Sequence, residues 1–176
     1  MKRWIGPLAA LIVAGLAAHW ATLTYAPGFI MDRALATLKD RGVALHAFTS
    51  PQRISPQTQA VVRSSPDLFY SLCRYDLSDP GPFLVIVMSQ WSDYQSLSFF
   101  DSNTNNFATI RGSDAQELVM LVGPGEKHSG LVTTIESPTK RGVILIRRLA
   151  ADEESFASAK QVALNDQCAL GQDEPF

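Results

Sequence analysis

The chain has 176 residues, 46% of them apolar and 18% charged, with 11 Gly, 10 Pro and two Cys. That suffices for one globular domain and excludes a disordered chain, a collagen or a dense disulfide scaffold. Fifteen Lys and Arg against 17 Asp and Glu leave a net charge of −2, which offers no basic footprint to nucleic acid.

From Trp4 to Thr24 the sequence WIGPLAALIVAGLAAHWATLT holds no Asp, Glu, Lys or Arg. As a helix it spans about 31 Å, the thickness of a bilayer's hydrocarbon layer. Trp4 marks one end, and Trp20 and Tyr25 the other, where amphipathic rings favour the headgroup boundary. Lys2 and Arg3 precede the span, so the positive-inside rule keeps the N-terminus cytoplasmic and exports the rest. A cleaved signal peptide begins the same way, but the small-x-small sites near Ala21, Thr24 and Ala26 are poor. The reading is an uncleaved anchor over 1–26. Without Lys2 and Arg3 the exported part carries 13 basic and 17 acidic groups, a net −4, which argues against a polybasic lipid or DNA patch.

In PGFIMDRALATLKDRG, from Pro27 to Gly42, apolar residues recur at Ile30, Met31, Ala34, Leu35 and Leu38, predicting a second, short amphipathic helix that Gly42 stops. The Pro- and Ser-rich run from Thr49 to Asp67 reads as an extended connector, so that 27–67 links the anchor to the domain. From Leu68 to Ala150, seven β-branched and aromatic runs alternate with turn residues, which predicts an antiparallel sandwich or barrel. Phe83–Met88 and Val143–Ile146 are apolar at consecutive positions and therefore predict strands covered on both faces. Asp152 caps a last helix whose inner face is Phe156, Ala159, Val162 and Ala163 and which ends near Cys168,. The domain is thus 68–170, with a frayed tail over 171–176.

Chemical motifs are sparse. GPGEKHSG lacks the ending of a phosphate loop, and GxSxG, HExxH, CxxC and GxGxxG are absent,. Only His46 and His128 lie beyond the membrane span, so the expectation is no catalytic residue, no metal and no cofactor. Arg74 and Asp76 share a strand face, and Arg147 and Arg148 lie on opposite faces of another. A structural ion pair of Asp76 with Arg74 or Arg147 is the plain expectation, and an arginine clamp for a ligand anion the sharper one. Trp91, Tyr94, Asp101, Asn105, Asn106 and Arg111 mix aromatic bodies with amide, carboxylate and guanidinium tips, as partner and small-molecule sites do; strand aromatics also simply fill cores, and Asn-rich stretches simply turn.

SPDLFYSLCRYDLSDPGPFLVIV, WSDYQSLSFFDSNTNNFATIR, LVGPG and ESPTKRGVILIRRLAADEESFASAKQVALNDQ occur in that order. This succession resembles the bacterial family called domain of unknown function 1254, over roughly residues 64–167, in its short, membrane-anchored branch. The resemblance implies a mainly β fold, an immunoglobulin-like antiparallel β-sandwich with a C-terminal helix packed on the sheet. It also implies a bacterial inner-membrane protein with its domain in the periplasm. Long members join this domain to a second β domain, of the 1214 type, so the implied partners are membrane lipid and a separate chain of that type. The role is then a noncatalytic binding or assembly module; the alternative is an envelope enzyme or small-ligand carrier. Export permits a disulfide between Cys73 and Cys168, against the alternative of two separate buried thiols.

Overall fold

The computed structural model describes residues 4–54, 64–79, 83–112, 115–126 and 132–171. Its first element, α1 (Ile5–Asp40), is one continuous helix of 36 residues, about 54 Å long. The expected break at Pro27 does not occur. Proline removes one N–H and leaves one carbonyl without its helical donor, and the helix continues through it with Met31 buried. Thr22 and Thr24 donate their hydroxyls to the carbonyls of Ala18 and Trp20 at 2.9 Å, which satisfies polar groups on an otherwise apolar surface. Gly42 ends the helix as expected, in the left-handed region at φ 80°, where a side chain would be strained.

All seven predicted strands form: β1 (Leu68–Asp76), β2 (Leu84–Met88), β3 (Gln95–Asp101), β4 (Asn106–Arg111), β5 (Glu117–Val122), β6 (Thr133–Glu136) and β7 (Arg141–Leu149). The last helix, α2 (Glu153–Val162), ends earlier than expected. It passes through a 3-10 turn (Ala163–Asn165) into an eighth strand, β8 (Gln167–Leu170). The strands make two four-stranded sheets, in the orders β1-β7-β3-β4 and β6-β5-β2-β8. Every pairing is antiparallel except β5 with β6, which run parallel. The expected all-antiparallel arrangement is therefore a mixed one.

Alternation sends Cys73, Tyr75, Leu97, Phe99, Ile144 and Ile146 from the first sheet, and Leu84, Ile86, Met88, Val119, Leu121 and Cys168 from the second, into one shared core,. The disulfide Cys73–Cys168 joins β1 to β8, and so one sheet to the other. At one end of this core, Phe69, Ala150 and Ala159 form a second cluster with Trp91, Phe156 and Ala163, which seats α2. The predicted cap of α2 is present as a reciprocal box, Asp152 accepting from the Ser155 amide at 2.8 Å; these hydrogen bonds hold the Asp152 carboxyl below its ordinary range,. Near the opposite end, Tyr75 Oη lies 2.9 Å from Ser137 Oγ and donates to the Phe100 carbonyl. Gly142 makes room for it, since a methyl there would stand 2.0 Å from the Phe100 carbonyl oxygen.

The disulfide closes a separation of 95 residues, so replacing both cysteines by alanine is expected to cost about 4–5 kcal/mol through the unfolded chain's entropy. A denaturant midpoint that stays in place, or two labelled thiols in unreduced protein, contradicts the bridge. Burial pushes the Tyr75 phenol from 10.0 up to about 12, so the stability of its neutral form is present below pH 10 and lost as pH rises toward 12. Absorbance titration should show one of the four tyrosines ionising late, a step that Tyr75→Phe removes; all four ionising together opposes it.

Candidate binding sites

The aromatic, amide and guanidinium residues singled out in the sequence separate into two groups. Asp101 is buried and accepts from the backbone amides of Asn103 and Asn105 at 2.8 Å, and from the Asn105 side chain at 2.9 Å. Its carboxylate thus organises the turn between β3 and β4, where Asn106 bonds Thr109. Tyr94 and Arg111 meet at the other end of these strands, the guanidinium 5.8 Å from the ring centre,. Five residue steps along β3, from Ser96, which pairs with Arg111, to Asp101, put the groups about 17 Å apart,. Trp91 belongs with α2, its indole donating to the Leu149 carbonyl at 3.2 Å.

The strand charges also pair differently from expectation. Arg74 donates to the Val43 carbonyl at 2.9 Å, Asp76 accepts from the Ser78 amide at 3.0 Å, and Arg147 donates to Ser98 Oγ at 3.0 Å. None of the three joins a salt bridge among the described residues. The expected Asp76 ion pair is corrected accordingly: these side chains are only partly buried and find backbone or hydroxyl partners. Arg148, fully buried on the inner face of β7, forms the deep pair. Its two terminal nitrogens each donate at 2.7 Å to one oxygen of Asp166, whose side chain is equally inaccessible. Sequence inspection missed Asp166 because it stands in the predicted helix; a buried strand arginine does signal that some carboxylate must arrive.

This pair also holds Ser89. Arg148 donates to its carbonyl at 3.2 Å and Asp166 accepts from its amide at 3.0 Å. Above Ser89 a cleft of about 520 Å³ opens, lined by Gln90, Gln116, Leu164, Asn165 and Gln167 among others. A second crevice, of about 370 Å³, lies between α1 and the first sheet and includes Asp32, Lys39, Arg74, Asp76 and Arg141. Asp32 and Arg141 face each other there at 4.0 Å, both more than half exposed, so the contact is worth little. His46 accepts from the Asp76 amide at 3.1 Å; His128 lies outside the described residues. No cluster of three His, Cys, Asp or Glu side chains among the described residues is placed to hold a metal.

The family model for a protein of unknown function, DUF1254, matches residues 46–170, the whole two-sheet domain. The chain belongs to the DUF1254 family. No curated protein matches it. Among solved structures, the VPA0106 protein from Vibrio parahaemolyticus matches this DUF1254 protein over 86% of its length with a TM-score of 0.59 at 12% identity. An uncharacterised protein from Burkholderia cenocepacia matches 62% of it, at 14% identity and a TM-score of 0.45. The first of these likenesses shows the fold. The DUF1254 chain spans 38% of the length of the Vibrio protein and 32% of that of the Burkholderia protein.

Removing one member of the buried pair should be costly. Asp166→Asn or Arg148→Met is expected to destabilise by about 3–5 kcal/mol, whereas Arg148→Met with Asp166→Leu should recover most of it. Urea titration measures this, and single variants within about 0.5 kcal/mol of wild type would deny the pair its role.

Proposed function

We propose that this DUF1254 protein is a single-pass bacterial inner-membrane protein whose periplasmic domain is a noncatalytic binding or assembly module. Its partner is a β domain of the 1214 type on another chain. The observation that carries this reading is the outer face of the second sheet. Val85 pairs with Met120 and Ala169, and Val87 with Leu118 and Gln167, so alternation lines these residues up on the side away from the core. On this side Leu118 is 44% exposed. A continuous apolar strip on a sheet is a surface suited to another protein.

The anchor supports the same reading. α1 is long and apolar enough to cross a membrane, a property that a single-pass anchor and a signal sequence share. Its large apolar side chains from Trp4 to Tyr25 are exposed, as a lipid-facing helix requires,. The immunoglobulin-like description belongs to this proposal too, supported by two sheets around one core. The alternative, an enzyme or carrier joining Trp91, Asp101 and Arg111 in one pocket, must bridge the length of β3.

In cells making both chains, crosslinking and detergent co-purification should recover a 1214-type protein with this one. Leu118→Glu, at an exposed position, should abolish recovery while leaving the thermal midpoint nearly unchanged. Recovery of the protein alone, or an inactive alkaline phosphatase fused after residue 176, would overturn the proposal.

A further inference from the structure

The cleft above Ser89 carries a ligand chemistry of its own. Four carboxamides, on Gln90, Gln116, Asn165 and Gln167, surround it, and none of its described lining residues is charged. A carboxamide presents a donor and an acceptor together, which matches a hydroxyl that both donates and accepts. A phosphate, carboxylate or ammonium would enter without a counter-charge, at a desolvation cost that the amides do not offset. Arg148 and Asp166, which hold the Ser89 backbone, are spent on each other with both side chains inaccessible. Apolar surface is present too, from Val162 and from Leu164, which is 74% exposed. Finally, the Ser89 hydroxyl is buried with no hydrogen-bond partner, although its backbone is held on both sides by the ion pair.

From these observations we propose that the cleft binds an uncharged, hydroxyl-rich ligand, a saccharide unit. Its hydroxyls exchange hydrogen bonds with the four carboxamides while the C–H face of the ring rests on Leu164 and Val162. The volume of about 520 Å³ suits a mono- or disaccharide, within the usual range of small-molecule sites. The site lies at the α2 end of the second sheet and takes in Val87 and Gln167 from the margin of the strip proposed for the protein partner, but it does not require that partner to bind.

The test uses the full chain in a detergent without a sugar headgroup, and saturation-transfer NMR with N-acetylglucosamine and with maltose. Inorganic phosphate and triglycine serve as competitors. At least one sugar should receive saturation, and neither competitor should displace it. Gln116→Leu and Gln167→Leu, both at exposed positions, should each weaken binding about tenfold, the equivalent of one hydrogen bond, without moving the thermal midpoint. Ser89→Ala, which removes an unpartnered hydroxyl, should fold normally and also bind more weakly. Absence of transfer to both sugars, transfer indifferent to both Gln substitutions, or displacement by phosphate or triglycine would overturn the proposal. Loss of the 1214-type partner would leave sugar binding intact, so the two readings fail separately.

Discussion

Arg148 has no contact with solvent, yet it stands on the inner face of β7 in line with Ile144 and Ile146. A guanidinium cannot remain there unpaired, because desolvating its charge would cost several kcal/mol. Asp166 must therefore be delivered between the sheets, and the chain around it takes the course this demands. The helix stops at Val162, a 3-10 turn redirects the backbone, and β8 joins the edge of the second sheet beside β2. Two residues beyond Asp166, Cys168 bonds to Cys73. The segment 166–168 is thus a clasp with an ionic hold on β7 and a covalent one on β1. A buried pair adds little net stability over apolar packing; its weight lies in fixing which segment occupies this edge and where Ser89 sits.

The helix places this clasped domain relative to the proposed membrane. A side chain at Gly28 would meet Asn103 Oδ1 at 3.5 Å, so the turn that Asp101 organises rests on α1 about 6 Å beyond Thr24. Met31 is buried a turn later. Because α1 runs unbroken through Pro27, these contacts hold the domain close to the end of the apolar span rather than on a slack tether. In the proposed function, such confinement raises the effective concentration of a partner anchored in the same membrane.

Much of the fold was legible, for physical reasons. Runs such as LFYSLCRYD and GVILIRRL alternate or fill both faces, and only a pleated strand between layers uses such patterns. β8 was not legible: QCAL is four residues long and follows a good helix without Gly or Pro, so local sequence gives no reason to stop. The pairing with β2 and the pull of Arg148 on Asp166 decide it, and both are long-range. Pro27 misled in the opposite direction, since a helix interrupted by one missing hydrogen bond still outlasts the break when both flanks favour it. The amide-lined cleft was hidden as well. Gln90, Gln116, Asn165 and Gln167 are scattered along the chain, and each by itself is an ordinary exposed polar residue. Legible clusters such as Trp91 to Arg111 are close in sequence, but an extended strand carries their ends far apart.

One segment answers for two restraints, so the most direct measurement is a double-mutant cycle between them. Asp166→Asn, the Cys73→Ala/Cys168→Ala variant and their combination would be compared with wild type by urea unfolding. If 166–168 is a clasp, releasing it once leaves less for the second change to remove. Combined destabilisation should then be at least about 1 kcal/mol smaller than the sum of the separate effects. Effects that add to within about 0.5 kcal/mol would show two independent restraints and contradict the clasp.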